Sequence, residues 1–177
     1  MDVFTVPTVT FRLLSVPLVI PPDRRRVLHV NVTMNPTAGW IRQLLREAFP
    51  FTVAPRYLLL DRDALFSAEV RCTVEHVGVA PVRTSVHRPW QNGVAERWIG
   101  TGRRELLDHV LVLNEPHRRR LLCEVRESHH TDRTPLSLGK DPPAPRAVCA
   151  PASPGAMVAS LPRVGGLHHR YQWREAA

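Results

Sequence analysis

Two carboxylates, Asp61 and Glu96, occupy positions from which they can act together. Asp61 directly follows the apolar run at 56–60, and Glu96 lies in the first turn of a helical pattern that begins at Gly93. Functional side chains in open α/β sheets gather at the carboxyl ends of strands. Carboxylates that converge from different elements can share a cation such as Mg²⁺, which prefers oxygen ligands. Each residue alone also fits a structural role, since aspartate forms turns and glutamate favours helix N-termini.

Helical geometry places Glu96 at the border of a core-facing stripe. Each residue advances about 100° around a helix. Glu96 and Arg103 lie together, about 80–100° from the centre of the stripe, whereas Arg97 and Arg104 lie near the opposite, solvated face. The apolar stripe consists of Ala95, Ile99, Gly102, Leu106, Val110 and Leu113.

The first part of the chain predicts three strands. Residues 3–20 are rich in β-branched and aromatic residues, which favours two strands with a turn near residues 7–10. Residues 27–33 predict a third strand, and the short connections favour an antiparallel meander. Pro17 falls in the interior strand of this meander, where its missing N–H is expected to be costly.

Helices and strands alternate in the next part of the chain. Asn35 as N-cap and Pro36 at the first helical position predict a helix over 36–49. The continuous apolar run at 56–60 is typical of a strand that is buried on both faces. A second helix over 65–77 follows.

The remaining pattern completes a mixed α/β order. Gly78 closes the second helix, and residues 79–84 form a fifth, short strand. A long helix is predicted over 93–113, and another runs from Asn114 and Pro116 to about residue 130. The order βββ-α-β-α-β-α-α predicts a mixed five-stranded sheet flanked by helices.

Composition indicates an acidic partner. The 177 residues carry a formal net charge of +8, which favours nucleic acid. Three cysteines without metal-ligand spacing predict reduced thiols. The sequence predicts neither a membrane span nor a signal peptide, so a cytoplasmic, nucleoid-associated protein without membrane partners or small-molecule cofactors is expected.

Three motifs resemble the integrase core shared by bacterial insertion-sequence transposases of the DDE group and retroviral integrases. These are "DVFTVPT" from Asp2, "LLLDRDALF" around Asp61 and "PWQNGVAERWIG" around Glu96. Asp61 and Glu96 stand 35 positions apart, close to the spacing of the family. The resemblance covers residues 2 to about 143, and Asp63 is the alternative to Asp61 in the middle motif.

The resemblance implies a ribonuclease-H-like fold and metal-dependent cleavage and strand transfer of DNA. Asp2, Asp61 and Glu96 would be catalytic and would hold Mg²⁺ or Mn²⁺ as two ions that clamp the attacking and leaving oxygens. Transposon ends and target DNA are the implied partners, and the active form is expected to be a homo-oligomer. The residues expected to contact DNA are Trp90, Gln91, Asn92, Arg97, Arg103 and Arg104.

Two domains are predicted, an integrase core over 1–143 and an irregular Pro/Ala-rich tail with a short terminal segment over 144–177. Within the terminal segment, the stretch "VGGLHHRYQW" at 164–173 is interpreted as a turn between short strands. Compared with the family, the first strand is shortened at its catalytic position and the helix-turn-helix is missing. A truncated transposase is therefore expected, whose own activity is in question. A catalytically inactive remnant that only binds DNA is the alternative function, and a structure-specific nuclease is a third.

Overall fold

A computed structural model of the chain describes residues 1–23, 25–49, 54–147, 149–151 and 153–175. The parts of the predicted tail at residues 148, 152, 176 and 177 lie outside the described residues. The chain forms two compact units, unit 1 (Met1–Arg119) and unit 2 (Arg120–Ala177).

Unit 1 begins with the predicted antiparallel pair of strands. β1 (Asp2–Pro7) pairs with β2 (Leu13–Val19) in a register that runs from Asp2 opposite Leu18 to Pro7 opposite Leu13. The turn between them is closed by Thr8, whose N–H donates to the Arg12 carbonyl at 2.9 Å. Every residue of β2 after Leu13 is buried, because apolar side chains point to both faces of this strand.

The third strand is shorter than predicted. β3 covers only His29–Val30, and an isolated bridge joins Ser15 to Thr33 farther along. Pro17 lies between these two paired regions. Its carbonyl accepts from the Asn31 N–H at 3.4 Å, but without an N–H it cannot return the bond. The ladder between β2 and β3 is therefore interrupted at this position.

The first helix begins later than predicted. α1 spans Ala38–Ala48, and its N-cap is Thr37, whose hydroxyl accepts from the Trp40 N–H at 3.1 Å. The prediction of Asn35 as the N-cap is wrong, because Thr37 adopts the extended cap conformation instead. The buried face of α1 is formed by Ile41, Leu44 and Leu45.

A parallel pair of strands follows, as the alternating pattern predicts. β4 (Tyr57–Leu60) pairs in parallel with β5 (Ala80–Arg83), and α2 (Ala68–His76) connects them. Gly78 takes a φ of 78° just beyond this helix, a conformation that glycine adopts without strain. The helices α1 and α2 share one core with these strands, formed by Val19, Ile41, Leu44, Leu45, Leu58, Leu60, Phe66, Val70, Val74 and Val79.

The prediction of one five-stranded sheet is not confirmed. The strands of unit 1 form two small sheets, ordered β1-β2-β3 and β4-β5. The Met1 ammonium donates to the Leu59 carbonyl at 2.8 Å and links β1 to β4.

The long helix predicted over 93–113 ends early. α3 spans Gly93–Gly102 and continues as a wider π-helical segment over Arg103–Leu107. The chain leaves the helix after Leu107, so residues 108–114 no longer follow the helical period on which the predicted stripe depends. Leu106 remains buried, but Leu113 is 55% exposed, and Val112 is buried in its place. The next helix, α4, spans Glu115–Thr131.

Unit 2 contains a β-hairpin where an irregular tail is predicted. β6 (Met157–Arg163) pairs with β7 (His168–Arg174) in an antiparallel ladder. Positive φ angles at Gly165 and Gly166 allow the chain to reverse between them. The predicted turn between short strands at 164–173 is therefore found in this hairpin, and the strands extend the ordered structure back to Met157. The predicted domain boundary after residue 143 stays a prediction, since the two compact units divide after Arg119.

No helix in the part of the chain that the structure describes is long and apolar enough to cross a membrane.

Candidate functional site

Asp2 is fixed at the start of β1. Its side chain is buried, with the residue only 5% exposed. One carboxylate oxygen accepts from the Val3 N–H at 2.8 Å, and the other accepts from the Asn92 side-chain amide at 3.2 Å. The strand ladder and the Met1 ammonium bond hold this end of the chain in place, so Asp2 is ordered despite its position at the terminus.

Burial and neighbouring charge together raise the pKa of Asp2 to about 6, from an ordinary value of 3.8. Desolvation is the largest cause, and the negative charges of Glu96 and Asp61 add to it. The Val3 N–H and the Met1 ammonium act in the opposite direction. Glu96 and Asp61 therefore each lie close enough to Asp2 for their charges to act on its carboxylate.

Asp61 follows β4 directly, as predicted, and is half-buried. Its Oδ1 accepts from the Arg62 N–H at 2.6 Å and from the Thr84 hydroxyl at 3.3 Å. Because Thr84 follows β5, these bonds hold Asp61 at the carboxyl ends of both parallel strands. The alternative residue, Asp63, is exposed and closes a local turn by accepting from the Leu65 N–H at 2.8 Å.

Glu96 is an exposed residue in the first turn of α3. Its neighbours Ala95, Trp98 and Ile99 are the buried residues of this helix. The Trp98 ring meets the Phe4 ring of β1 edge to face, with centroids 6.5 Å apart. This packing docks α3 on the strand that begins with Asp2, and thereby determines where the Glu96 carboxylate lies.

Asn92 has a contact that the sequence motif did not reveal. The residue is 8% exposed, and its amide donates to both the Met1 carbonyl and Asp2, each at 3.2 Å. The amide is thus directed at a carboxylate of the candidate site. Its predicted contact with DNA stays untested, and a positioning role is the one that its geometry supports. The motif indicated only that Asn92 lies near the site, since it stands four residues before Glu96. The contact with Asp2 itself is visible only in the folded chain.

The other residues predicted to contact DNA lie at the surface of unit 1. Trp90 is 64% exposed, and the Arg88 guanidinium lies over its ring at 4.9 Å. Gln91 is exposed, and its side-chain oxygen accepts from the Ser85 N–H at 2.6 Å, which fixes the loop before α3. Three arginines, Arg97, Arg103 and Arg104, are also exposed.

A groove of about 640 Å³ opens beside these residues. Trp90, Gln91 and Arg97 line one part, and Met1 and Leu59 line another. Burial in this region lowers the pKa of the Met1 ammonium from 8.0 to about 6, although Asp2 and Asp61 counteract the effect. The groove therefore extends from the loop before α3 to the start of β1.

The three carboxylates are ligands of the type that magnesium prefers, but their side chains are not arranged around a common metal position. Among the described residues, no group of three or more His, Cys, Asp or Glu side chains is arranged to hold a metal ion. The donors are all hard oxygens, which suit Mg²⁺ or Mn²⁺. The mutual repulsion that contributes to the raised pKa of Asp2 is also the kind that a bound cation relieves. The residues fit such an ion in type and in charge.

Comparisons with known proteins agree with this arrangement. The family model described as "Integrase core domain" matches residues 77–143, a segment that contains Glu96 and the loop before it. A search among curated proteins finds no match to the sequence.

Two solved structures share the fold. A chain of the simian T-cell lymphotropic virus intasome, solved in complex with PP2A regulatory subunit B56 gamma, matches with a TM-score of 0.63 and 14% identity over 98% of this chain. The catalytic core domain of BIV integrase matches with a TM-score of 0.55 and 18% identity, over 80% of this chain and 88% of that domain. The present chain spans 64% of the length of the intasome chain.

These matches confirm the resemblance to integrase cores that the three motifs indicate. The fold is mixed α/β and similar to that of integrase catalytic cores. Within the sequence, the match to the integrase core family covers residues 77–143.

Proposed function

We propose that unit 1 is a metal-dependent integrase core that cleaves DNA and transfers the freed strand end to a target, as in transposition. The proximity of Asp61 and Glu96 to Asp2 carries this proposal. The charges of both residues raise the pKa of Asp2, although the three carboxylates come from different elements of the fold. The integrase match over 77–143 and the basic charge of the chain support DNA as the substrate.

The roles of the carboxylates follow from where they lie. Asp2, the first residue of β1, and Asp61, which follows β4, would hold Mg²⁺ or Mn²⁺. Glu96 would complete the ligand set from α3. Two such ions, when bound, activate a water or a 3′-hydroxyl and stabilise the leaving oxygen. Asn92 orients the Asp2 carboxylate, so the residue serves the site by positioning a ligand.

The exposed residues around the groove provide the surface for DNA. Arg97, Arg103 and Arg104 would neutralise backbone phosphates, and Trp90 and Gln91 would contact the strand beside Glu96. Transposon ends and target DNA are the partners in this proposal, a homo-oligomer is the active form, and the bacterial nucleoid is the location.

The decisive experiment uses a fluorescently labelled, pre-nicked branched duplex with Mn²⁺. We expect cleaved and joined products from the wild-type chain and none from Glu96→Gln. The matched control is Glu69→Gln, which alters an exposed glutamate in the first turn of α2 and should leave both products unchanged. Circular dichroism would verify that both variants fold. Equal product from Glu96→Gln and the wild type would refute the assignment.

A DNA-binding protein without cleavage is the second candidate function. The burial of Asp2 favours it, because both oxygens of this carboxylate already accept hydrogen bonds within the protein. In that case the duplex is bound equally well in Mn²⁺ and in EDTA and stays intact. Cleavage without joining would instead indicate a structure-specific nuclease.

A further inference from the structure

The hairpin of unit 2 exposes large apolar side chains on both of its faces. Tyr171 is 65% exposed, Trp173 41%, Met157 64% and Val158 57%. A two-stranded ladder is only marginally stable by itself in water. Exposed aromatic side chains on such a ladder indicate a binding surface.

The net positive charge of residues 133–174 indicates which kind of partner this surface binds. Residues 133–174 contain six Lys or Arg residues and a single carboxylate, Asp141. The hairpin strands β6 and β7 contribute Arg163, Arg170 and Arg174 to that excess and no acidic residue. A polyanion is therefore the complementary partner.

Three of these arginines converge on Asp132, the residue after α4. Arg163, Arg170 and Arg146 approach its carboxylate at 3.2, 3.6 and 3.9 Å. One carboxylate cannot neutralise three guanidinium groups, so positive charge remains at this point. Among the described residues, the buried Nε of Arg170 has no hydrogen-bond partner.

A cavity of about 380 Å³ brings the charges and the rings together. Lys140, Arg146 and Arg170 line it with cationic groups beside a single carboxylate, Asp141, and Tyr171 and Trp173 line it with aromatic rings. Cationic and aromatic side chains in one groove are the two components that bind single-stranded nucleic acids, since phosphates contact the cations and unpaired bases stack on the rings.

We propose that this cavity of unit 2 binds single-stranded nucleic acid, with a base on Trp173 or Tyr171 and the adjacent phosphates at Lys140 and Arg146. A duplex fits less well, because its base faces are stacked on one another and cannot reach the rings. The site requires neither a metal ion nor catalysis. It therefore stands independently of the function proposed for unit 1.

The test measures binding of a fluorescein-labelled oligodeoxythymidine to the full chain by anisotropy in EDTA, which removes divalent metal. Trp173→Leu is expected to weaken binding by about 5- to 150-fold, the range for loss of one stacked base. Trp173→Phe is the matched control, because it keeps an aromatic face, and it should retain most of the affinity.

Charge is tested by a second matched pair. Lys140→Gln should reduce the slope of log affinity against log salt by about 0.7, the value for one phosphate contact on a single strand. Arg174→Gln removes the same charge from an exposed residue outside the cavity lining and should leave the slope closer to that of the wild type.

Three results would overturn the proposal. These are unchanged affinity in Trp173→Leu, equal slopes for Lys140→Gln and the wild type, or displacement of the oligonucleotide by an equal amount of duplex. Because all variants lie in unit 2 and the assay lacks metal, inactivity of unit 1 in strand transfer would not affect the outcome.

Discussion

Two of the antiparallel strand pairs of this chain, β1–β2 and β6–β7, form the same kind of backbone ladder in opposite surroundings. Strand β2 is buried at every residue after Leu13, whereas β6 and β7 have no fully buried residue. Their sequences explain the contrast. Strand β2 reads "LLSVPLV" with apolar side chains on both faces, and β7 reads "HHRYQWR" with polar and aromatic side chains.

The contrast separates two tasks. A strand that is buried on both faces is held in place by its neighbours, which suits the positioning of a carboxylate such as Asp2. An exposed hairpin keeps its side chains accessible, which suits contact with a large, charged partner. We therefore expect substitutions to affect folding in the first pair and binding in the second.

The largest expected effect is a difference in stability between two truncations. Leu14→Ala in β2 removes a fully buried side chain and should lower the free energy of unfolding by about 2–5 kcal/mol. Tyr171→Ala in β7 removes an exposed ring and should change it by no more than about 0.5 kcal/mol. Urea denaturation of both variants measures the difference. Similar losses would mean that the hairpin is as tightly packed as the core.

The second prediction concerns pH and the buried end of β1. The folded-state pKa of Asp2 is raised from 3.8 to about 6, so its contribution to stability is present below pH 3.8 and is lost as pH rises to 6. The pKa of the Met1 ammonium is lowered from 8.0 to about 6, so its contribution is present above pH 8.0 and is lost as pH falls to 6. These two groups therefore give a minimum in the free energy of unfolding near pH 6. From this minimum the free energy of unfolding rises by at most about 3 kcal/mol toward pH 3.8, the acidic limb, and by at most about 3 kcal/mol toward pH 8.0, the basic limb.

Denaturation across this pH range would reveal the minimum, and two modifications separate its limbs. Asp2→Asn should abolish the limb on the acidic side, and acetylation of the Met1 amine should abolish the other. A profile of Asp2→Asn that retains the acidic limb would show that another group causes it.

Buried and exposed arginines provide a third test. Arg118 is 2% exposed and lies 5.8 Å from the centre of the Phe4 ring, and its buried Nε and Nη1 have no hydrogen-bond partner among the described residues. Burial lowers its pKa to about 10. Arg118→Met should therefore stabilise the protein by about 1–3 kcal/mol, since two unsatisfied donors are removed. The exposed control, Arg174→Met, should have no effect on urea denaturation, and a loss of stability in Arg118→Met would disprove this account.

The smallest expected effect is at the interruption between β2 and β3. Pro17→Val restores a backbone N–H where the ladder is broken and should change the free energy of unfolding by about 1 kcal/mol or less. Slower hydrogen exchange of the amides from His29 to Thr33 would show that β3 has lengthened. Unchanged exchange rates would indicate that Pro17 is not what limits this strand.

Periodicity predicted most of the elements of unit 1. The two strands within 3–20, the apolar strand at 57–60 and the glycine that ends α2 are found near their expected positions. These features depend on local patterns of burial and backbone preference, which a sequence displays directly. The carboxylates at 61 and 96 were chosen from their motifs, and the charge of each contributes to the raised pKa of Asp2.

Features that depend on distant contacts were missed. The helix ends at Leu107 rather than at 113, and the apolar residues that continue the helical period up to 113 gave no sign of this end. The turn between short strands at 164–173 was predicted, but the full ladder from Met157 to Arg174 was not, because its pairing is specified across the turn. The contact between Asn92 and Asp2 joins residues 90 positions apart and required the folded chain.

The hydrogen bond from the Met1 ammonium to Leu59 has a consequence for handling the protein. An affinity tag fused ahead of Met1 turns that ammonium into an amide with a single N–H and places the added peptide beside the link between β1 and β4. Purification tags for crystallisation and for DNA assays therefore belong after residue 177, far along the polypeptide from the carboxylate that opens the first strand.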